Sequence, residues 1–244
     1  MRKYLLLLLL AAGMHSAEAQ KTRSKAQLSE TSVVKDPSGT VLPSAIWVPL
    51  YQTGKVKIEP VDASNADSEF TLQRYSDEEW AKLMEAMPKP DGSRAFKRSS
   101  QFVAFKDTDL QGNTYDIKAL KGKVVVINFW FINCPPCRLE IPDLNELVAH
   151  YKDNKDVVFL AIAMDDKHRL QEFQRQLPFN YNIVAKGEYI ARDNNINAFP
   201  THVVLDRDGK ILFHTDGLAK NTVYWVKKSI EQALAQKGDL AAGN

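Results

Sequence analysis

Cysteine is scarce in this sequence, which holds two among its 244 residues. They are Cys134 and Cys137, separated only by Pro135 and Pro136. A disulfide between them would close a very short loop, and in the chain-entropy account such loops gain the least stability from a cross-link. The pair therefore indicates reactive thiol chemistry rather than a structural staple.

Long hydrophobic runs are also missing, apart from one near the N-terminus. Arg2 and Lys3 precede the leucine run Leu5–Leu10, and Ala17 and Ala19 supply small residues at a cleavage motif. This order is typical of a signal peptide. An uncleaved anchor is the alternative, but roughly ten apolar residues fall far short of the ~20 that span a bilayer. We expect residues 1–19 to be removed, and the protein to be exported to the periplasm without a membrane span.

A strong charge of either sign is absent, since the formal net charge is only +2 at pH 7. Nothing in that balance indicates binding to nucleic acid or to a membrane surface. Composition leaves the oligomeric state undetermined.

A turn-rich segment, Pro88–Ser93 continuing to Ser100, lacks periodicity and divides the chain into two predicted domains. Residues 20–98 form a small α+β domain of unknown role, with Gln20–Pro37 flexible. Its predicted strands are Trp47–Leu50, Val56–Val61 and Phe70–Tyr75. A helix follows, because Ser76 and Glu79 have the spacing of a capping box.

Residues 99–240 form the second predicted domain, and its apolar segments alternate between strand and helix patterns. Val124–Trp130 is short, β-branched and almost wholly apolar, as expected of a strand buried on both faces of a sheet. The predicted order is a β-hairpin around Asp107–Asn113, the Val124–Trp130 strand, a helix from Pro135 towards Tyr151, Val157–Met164 (strand), Asp166–Leu177 (helix), Asn182–Val184 (strand), Glu188–Asn194 (helix), Thr201–Leu205 and Ile211–His214 (hairpin), and Asn221–Gln236 (helix). This order predicts an α/β fold with a mixed central sheet flanked by helices.

The position of the cysteines assigns them different roles. Cys134 directly follows a buried strand and stands at the start of a helix, where the helix dipole and free amides stabilise a thiolate. Because the thiolate is the attacking species, Cys134 is the predicted nucleophile. Cys137, inside the first turn and expected to be less exposed, is the predicted resolving thiol.

The segment Phe129–Pro142, with its CPPC sequence, resembles the active-site strand and helix of the TlpA/ResA branch of thioredoxin-like proteins. Ala198–Thr201 and Val203–Gly209 resemble the cis-proline strand and hairpin of the same family. The resemblance covers roughly residues 101–236 and implies a thioredoxin-like fold preceded by an N-terminal β-hairpin. It also implies an exported disulfide reductase that needs no cofactor, acts on disulfide-containing client proteins, takes electrons from a membrane thiol carrier and often serves cytochrome c biogenesis.

The same resemblance suggests the surrounding site residues. Glu140 corresponds to an active-site carboxylate, and it is the better acid–base candidate because Asn128 stands where many thioredoxins carry an aspartate. Phe199 and Pro200 correspond to the substrate-binding segment, with a cis bond at Pro200. Trp130 is a further substrate-binding candidate, although an aromatic side chain that closes a buried strand also suits a core position.

Other readings remain open on the sequence alone. A thiol oxidase or isomerase would use the same residues. A non-enzymatic copper or zinc chaperone would use both thiolates, with His202 as a further ligand. His202 follows Pro200 closely, so it could approach the site, but we interpret it as structural.

Overall fold

The structure is a computed structural model that describes residues 25–96 and 101–236. The predicted signal peptide lies outside these residues. The chain divides into two compact units, residues 1–80 and 81–244. None of the described helices is both long enough and apolar enough to cross a membrane.

The first unit is a four-stranded sheet with one helix before its third strand. Strand order is β2-β1-β4-β3, and only the β1–β4 pair is parallel. The elements are β1 (Val34–Lys35), β2 (Val41–Leu42), α1 (Ser44–Gln52), β3 (Val56–Pro60) and β4 (Phe70–Arg74), followed by α2 (Asp77–Ala86), which runs into the second unit.

Two predictions for this unit are wrong. The apolar run at Trp47–Leu50 is not a strand but the middle of α1, where Trp47 packs into the small core with Val34 and Phe70. A run of this length fits a strand or a buried helix equally well, and periodicity cannot separate them. The segment Gln20–Pro37, predicted to be flexible, contains the strand β1. Val34 in this strand is fully buried in the same core, which holds the segment in place.

The capping box at the start of α2 is confirmed. The Ser76 amide donates to Glu79 Oε2 at 2.9 Å, and the Glu79 amide donates to Ser76 Oγ at 3.1 Å. These reciprocal bonds satisfy two amides that a helix start otherwise leaves unpaired.

The second unit contains a five-stranded mixed sheet in the order β11-β10-β7-β8-β9, with a separate β5–β6 hairpin. Strands β7, β8 and β9 are parallel, whereas β10 is antiparallel to both β7 and β11. The elements are β5 (Lys106–Thr108), β6 (Thr114–Asp116), β7 (Val124–Trp130), α3 (Pro135–His150), β8 (Val157–Ala163), α4 (Lys167–Gln176), β9 (Asn182–Val184), α5 (Glu188–Asp193), β10 (Thr201–Leu205), β11 (Ile211–Asp216) and α6 (Thr222–Ala235).

The predicted hairpin is present, but its first strand begins later than expected. Phe102 and Phe105 precede β5 and are buried core side chains rather than strand residues. The turn is organised by Asp109, whose carboxylate accepts from the Gln111 and Asn113 amides at 2.9 and 2.8 Å.

Residues 81–96 belong to the second unit and are tied to the start of α6. The buried Asn221 side chain donates to the carbonyls of Met84 at 3.2 Å and Pro88 at 3.1 Å. The predicted domain boundary after residue 98 stays a prediction.

The alternation of side chains along β7 builds two separate cores. Val124, Val126 and Trp130 lie in the core that contains Cys137 and the buried residues of α3 and α6. Val125, Ile127 and Phe129 lie in the core on the other face. A polar side chain at position 128, in phase with the first set, therefore faces α3, the helix that carries the cysteines.

Candidate active site

The two cysteines form a disulfide at the N-terminus of α3. Cys134 is the N-cap residue, and its Sγ accepts from the Cys137 amide at 3.3 Å. The expected difference in burial is wrong for this oxidised form, because Cys134 is 2% and Cys137 3% exposed. Cys134 differs from Cys137 in its position, because Cys134 Sγ accepts a hydrogen bond from a backbone amide that the helix start leaves free.

Asp165 holds the loop that leads into Cys134, and the sequence reasoning missed it. Asp165 Oδ2 accepts from the Ile132 amide at 2.7 Å, and its Oδ1 lies 3.0 Å from Arg169 Nη1. The order of strands along the chain could have indicated this role for Asp165. Asp165 comes just after β8, whose carboxyl end lies beside that of β7 in the parallel pair.

Glu140 lies one helical turn after Cys137, and the structure buries its carboxylate at 5% exposure. Its Oε2 is 2.9 Å from Nε2 of His202, which is fully buried. Asn128 Nδ2 lies 3.3 Å from each ring nitrogen of His202. The structure therefore brings His202 to the predicted acid–base residue, whereas the sequence favoured a structural role for it and left an approach to the active site open.

Two buried polar atoms at this site, one on Glu140 and one on Tyr181, have no hydrogen-bond partner among the described residues. They are Glu140 Oε1 and the Tyr181 hydroxyl oxygen. Burial first, and the nearby Glu140 charge second, raise the pKa of Tyr181 above its ordinary value. Tyr181 is thus a neutral neighbour of Glu140.

The predicted cis bond between Phe199 and Pro200 is confirmed. Phe199 is half-buried, and its ring lies edge-on to the Phe131 ring with 5.4 Å between centroids. Phe131 belongs to the loop before Cys134, so the proline segment and the cysteine loop are in contact.

Trp130 occupies a core position. It is fully buried, with its ring centroid 5.3 Å from that of Phe173 and 5.4 Å from that of Phe179. This burial favours the core interpretation, and the role of Trp130 in substrate binding stays a prediction.

A concave surface of about 430 Å³ lies beside the disulfide. Leu139, which is 69% exposed, forms part of it. Its lining residues are Asn133, Pro135, Arg138, Leu139 and Leu177.

The metal-carrier alternative would use the sulfurs of Cys134 and Cys137 with His202 as a further ligand. Within residues 25–96 and 101–236, no group of three His, Cys, Asp or Glu side chains is arranged to hold a metal ion. The Nε2 atom of His202 is already engaged by Glu140.

Three features define a thioredoxin-like protein. The mixed sheet is flanked by helices, a CxxC disulfide lies at the start of the helix after the central strand, and a cis-proline follows Phe199, which contacts the cysteine loop. The AhpC/TSA family profile matches residues 99–214. A ResA thiol-disulfide oxidoreductase of Bacillus cereus is 35% identical over 118 residues, which cover 48% of this chain and 66% of that protein. The ResA of Halalkalibacterium halodurans is 30% identical over 129 residues, covering 52% of this chain and 73% of that protein. The chain therefore belongs to the ResA family of thioredoxin-like proteins.

A solved structure supports the same fold. The solution structure of a candidate protein disulfide isomerase from Bacteroides thetaiotaomicron superposes with a TM-score of 0.53 at 23% identity, covering 58% of this chain and 92% of that one. The chain matches just under two thirds of the Bacillus cereus relative, and none of these matches extends over its whole length.

Proposed function

We propose that this protein is an exported thiol–disulfide oxidoreductase that reduces disulfides in client proteins. The observation that carries the proposal is the disulfide between Cys134 and Cys137, capping α3 directly after the buried strand β7. Kinship with ResA proteins supports the reaction class. Export rests on the signal-like N-terminus, and the periplasm is the proposed compartment.

The proposed reaction is a two-electron exchange. The Cys134 thiolate attacks one sulfur of the client disulfide, forming a mixed disulfide and releasing the other client sulfur as a thiolate. Cys137 then loses its proton and attacks Cys134 Sγ, which restores the enzyme disulfide and releases the second client thiolate. The enzyme dithiol is oxidised and the client disulfide is reduced. One proton on the client thiols comes from Cys137, and the other is taken from solvent, which received one proton when Cys134 ionised.

Glu140 is the proposed acceptor for the Cys137 proton. The proposal is supported by their spacing, because residues three apart on a helix are neighbours on its surface. Its Oε1 has a free acceptor site within the described part of the chain. A carboxylate that takes this proton makes Cys137 nucleophilic at the moment it is needed.

Client binding is proposed at the segment containing Phe199 and Pro200, with Trp130 as a supporting residue beneath the cysteine loop. The half-buried Phe199 faces Phe131 and borders the disulfide loop. Clients with an exposed, extended disulfide segment fit this position.

The cycle is completed by re-reduction of the enzyme disulfide. A membrane thiol electron carrier is the proposed reductant, with cytochrome c biogenesis as one process that such a reductase would serve. No separate cofactor is needed, because the cysteines carry both electrons. Residues 20–98 are proposed as a separate domain of unknown role, and deletion of residues 20–99 followed by client trapping would test whether that domain selects clients.

Trapping of clients tests the cysteine roles. In a Cys137→Ala variant the mixed disulfide cannot be resolved, so covalent complexes with client proteins should accumulate in the exported compartment. A Cys134→Ala variant should trap none. Equal trapping by both variants would refute Cys134 as the nucleophile.

The direction of the reaction is tested by the reduction potential of the purified protein. A reductase should have a potential near that of thioredoxin, about −270 mV. A value towards about −120 mV would instead identify a thiol oxidase. A metal carrier is distinguished from both enzymes by metal uptake. The purified, reduced enzyme should take up no zinc or copper in competition with a weak chelator, while it still reduces the disulfides of insulin.

A further inference from the structure

We propose that Glu140 and His202 hold the proton of the resolving step together, with His202 as the positioning residue of the carboxylate and Asn128 setting its tautomer. This inference rests on the proposed function, and it extends that function by naming how the buried carboxylate is held and charged. The supporting observation is that the buried Glu140 carboxylate on α3 lies next to the His202 imidazole on β10, which in turn lies next to the Asn128 amide on β7.

The sheet places His202 under Glu140. In the antiparallel register of β7 and β10, Asn128 stands directly opposite His202. Side chains at directly opposite positions share one face of a sheet, here the face covered by α3. Glu140 reaches this face from α3, and its Oε2 meets His202 Nε2 at 2.9 Å.

The partners of His202 select one neutral tautomer. A carboxylate only accepts, so Nε2 must donate its hydrogen to Glu140 Oε2. The ring nitrogen left without a hydrogen is then Nδ1, which can accept from the Asn128 amide 3.3 Å away. A neutral imidazole with hydrogen on Nε2 therefore has a hydrogen-bond partner at each of its ring nitrogens.

This arrangement has room for one more proton. In the proposed cycle the pair accepts the proton through the carboxylate of Glu140, whose Oε2 is already bonded to His202. When Cys137 attacks Cys134 Sγ, the proton leaving Cys137 binds to the pair. It later passes to a departing client thiolate, so no proton is gained or lost in the cycle.

A buried, unpaired carboxylate would be costly, and the histidine removes that cost. Transfer of an ionised carboxylate to an apolar interior is strongly unfavourable unless it is hydrogen-bonded or paired. The Nε2 hydrogen of His202 also fixes the direction of Oε2 and leaves Oε1 as the oxygen without a partner in the described chain. Oε1 is therefore the atom of Glu140 that we propose accepts the Cys137 proton.

Few other titratable groups face the pair. Cys134 and Cys137 lie on α3 itself, and Tyr181 approaches from the segment before β9 with its hydroxyl kept neutral by burial, which raises its pKa. Thr215, opposite His202 on β11, is not titratable and donates to the Asp91 carbonyl at 2.8 Å. Within residues 25–96 and 101–236, the ionisable neighbours that bear on the pair are therefore the two cysteines and Tyr181.

A double-mutant cycle on the exported, reduced protein tests the pair. The variants are Glu140→Gln, His202→Gln and the double substitution. Glutamine at position 202 keeps a donor near Nε2 but cannot take a proton. The measurement is the rate of oxidation by a disulfide peptide, followed from pH 4 to pH 9. His214→Gln is the matched control, because His214 lies on the neighbouring strand β11 and its ring packs against Phe96, away from Glu140.

The expected results follow from shared proton transfer. Each single variant should lose about 100-fold in rate near neutral pH, the lower range for general acid–base catalysis. Both should lose the same ionisation from the pH–rate profile, and the double variant should be no slower than the slower single one. His214→Gln should keep the wild-type profile.

Other outcomes overturn the inference. If His202→Gln lowers the rate equally at every pH, or if its effect multiplies with that of Glu140→Gln, then His202 is only structural. Failure of the proposed function looks different, because the wild-type protein itself would then not be oxidised by the peptide through Cys134.

The histidine can also be observed directly, which keeps the test valid if a variant does not fold. Nitrogen-15 NMR of the wild-type protein should show the Nε2–H tautomer of His202 in the oxidised form. In an Asn128→Asp variant the new carboxylate should draw a hydrogen to Nδ1 and favour the imidazolium. An Nδ1–H tautomer in the wild type would contradict the assignment of donor and acceptor.

Discussion

The cysteine loop should depend on one buried carboxylate, and substitution of Asp165 measures that dependence. Asp165 Oδ2 accepts from the Ile132 amide at 2.7 Å, two residues before Cys134. In Asp165→Ala the Ile132 amide loses its partner in a partly buried loop. We expect a clear loss of stability in the oxidised protein.

The magnitude follows from the two contacts of the carboxylate. A hydrogen bond to a charged group contributes about 1.5–3 kcal/mol. The Arg169 partner is half exposed, so its i,i+4 ion pair adds only ~0.3–0.5 kcal/mol. Together these give about 2–3.5 kcal/mol for Asp165→Ala. Asp165→Asn keeps an oxygen for the Ile132 amide and should cost roughly 1 kcal/mol.

Equilibrium unfolding in urea, followed by circular dichroism, measures these free energies. Asp156→Ala is the control, since Asp156 also pairs with an arginine but is largely exposed, and its midpoint should stay at the wild-type value. The reasoning is refuted if Asp165→Ala behaves like Asp156→Ala, or if the alanine and asparagine variants at 165 are equally stable.

Three further predictions concern the second unit. Gly187→Ala should destabilise the fold by about 1–3 kcal/mol, because a Cβ there would lie 2.2 Å from Cγ2 of Ile162; thermal unfolding that stays at the wild-type temperature would contradict this. Asn221→Ala should cost about 2 kcal/mol in urea unfolding, since two carbonyls lose a buried donor, and a loss no larger than that of an exposed asparagine would contradict it. Burial raises the pKa of Asp109, but hydrogen bonds from the Asn113 side chain and from backbone amides outweigh it and lower the pKa below 3.8. The stability that Asp109 contributes is therefore present above pH ~3.8 and lost as the pH falls through the lowered pKa. Asp109→Asn should make the free energy of unfolding depend less on pH in the acidic range, and an unchanged pH dependence would refute the lowered pKa of Asp109.

Sequence patterns determined those features that depend on neighbours along the chain. The buried strand Val124–Trp130, the helix beginning after Cys134 and the Ser76–Glu79 capping box each depend on residues within one or two turns. Local chemistry therefore sufficed to place Cys134 at a helix N-terminus. The cis bond at Pro200 followed from family resemblance rather than from local pattern.

Where a local pattern fits two structures, the sequence could not choose. The run containing Trp47 suits a strand or a buried helix, and packing against Val34 and Phe70 decided for α1. Tertiary burial overrode the local reading there.

The tertiary structure alone decided which side chains meet. Glu140 and His202 are separated by 62 positions and Asn128 and His202 by 74, yet sheet register and helix packing bring them within hydrogen-bond distance. Asp165 likewise reaches the cysteine loop only because β7 and β8 are parallel neighbours. A sequence determines the cysteines and their helix because those are local; it cannot show the proton-holding pair beneath them, because strand register and helix packing join residues far apart in the chain.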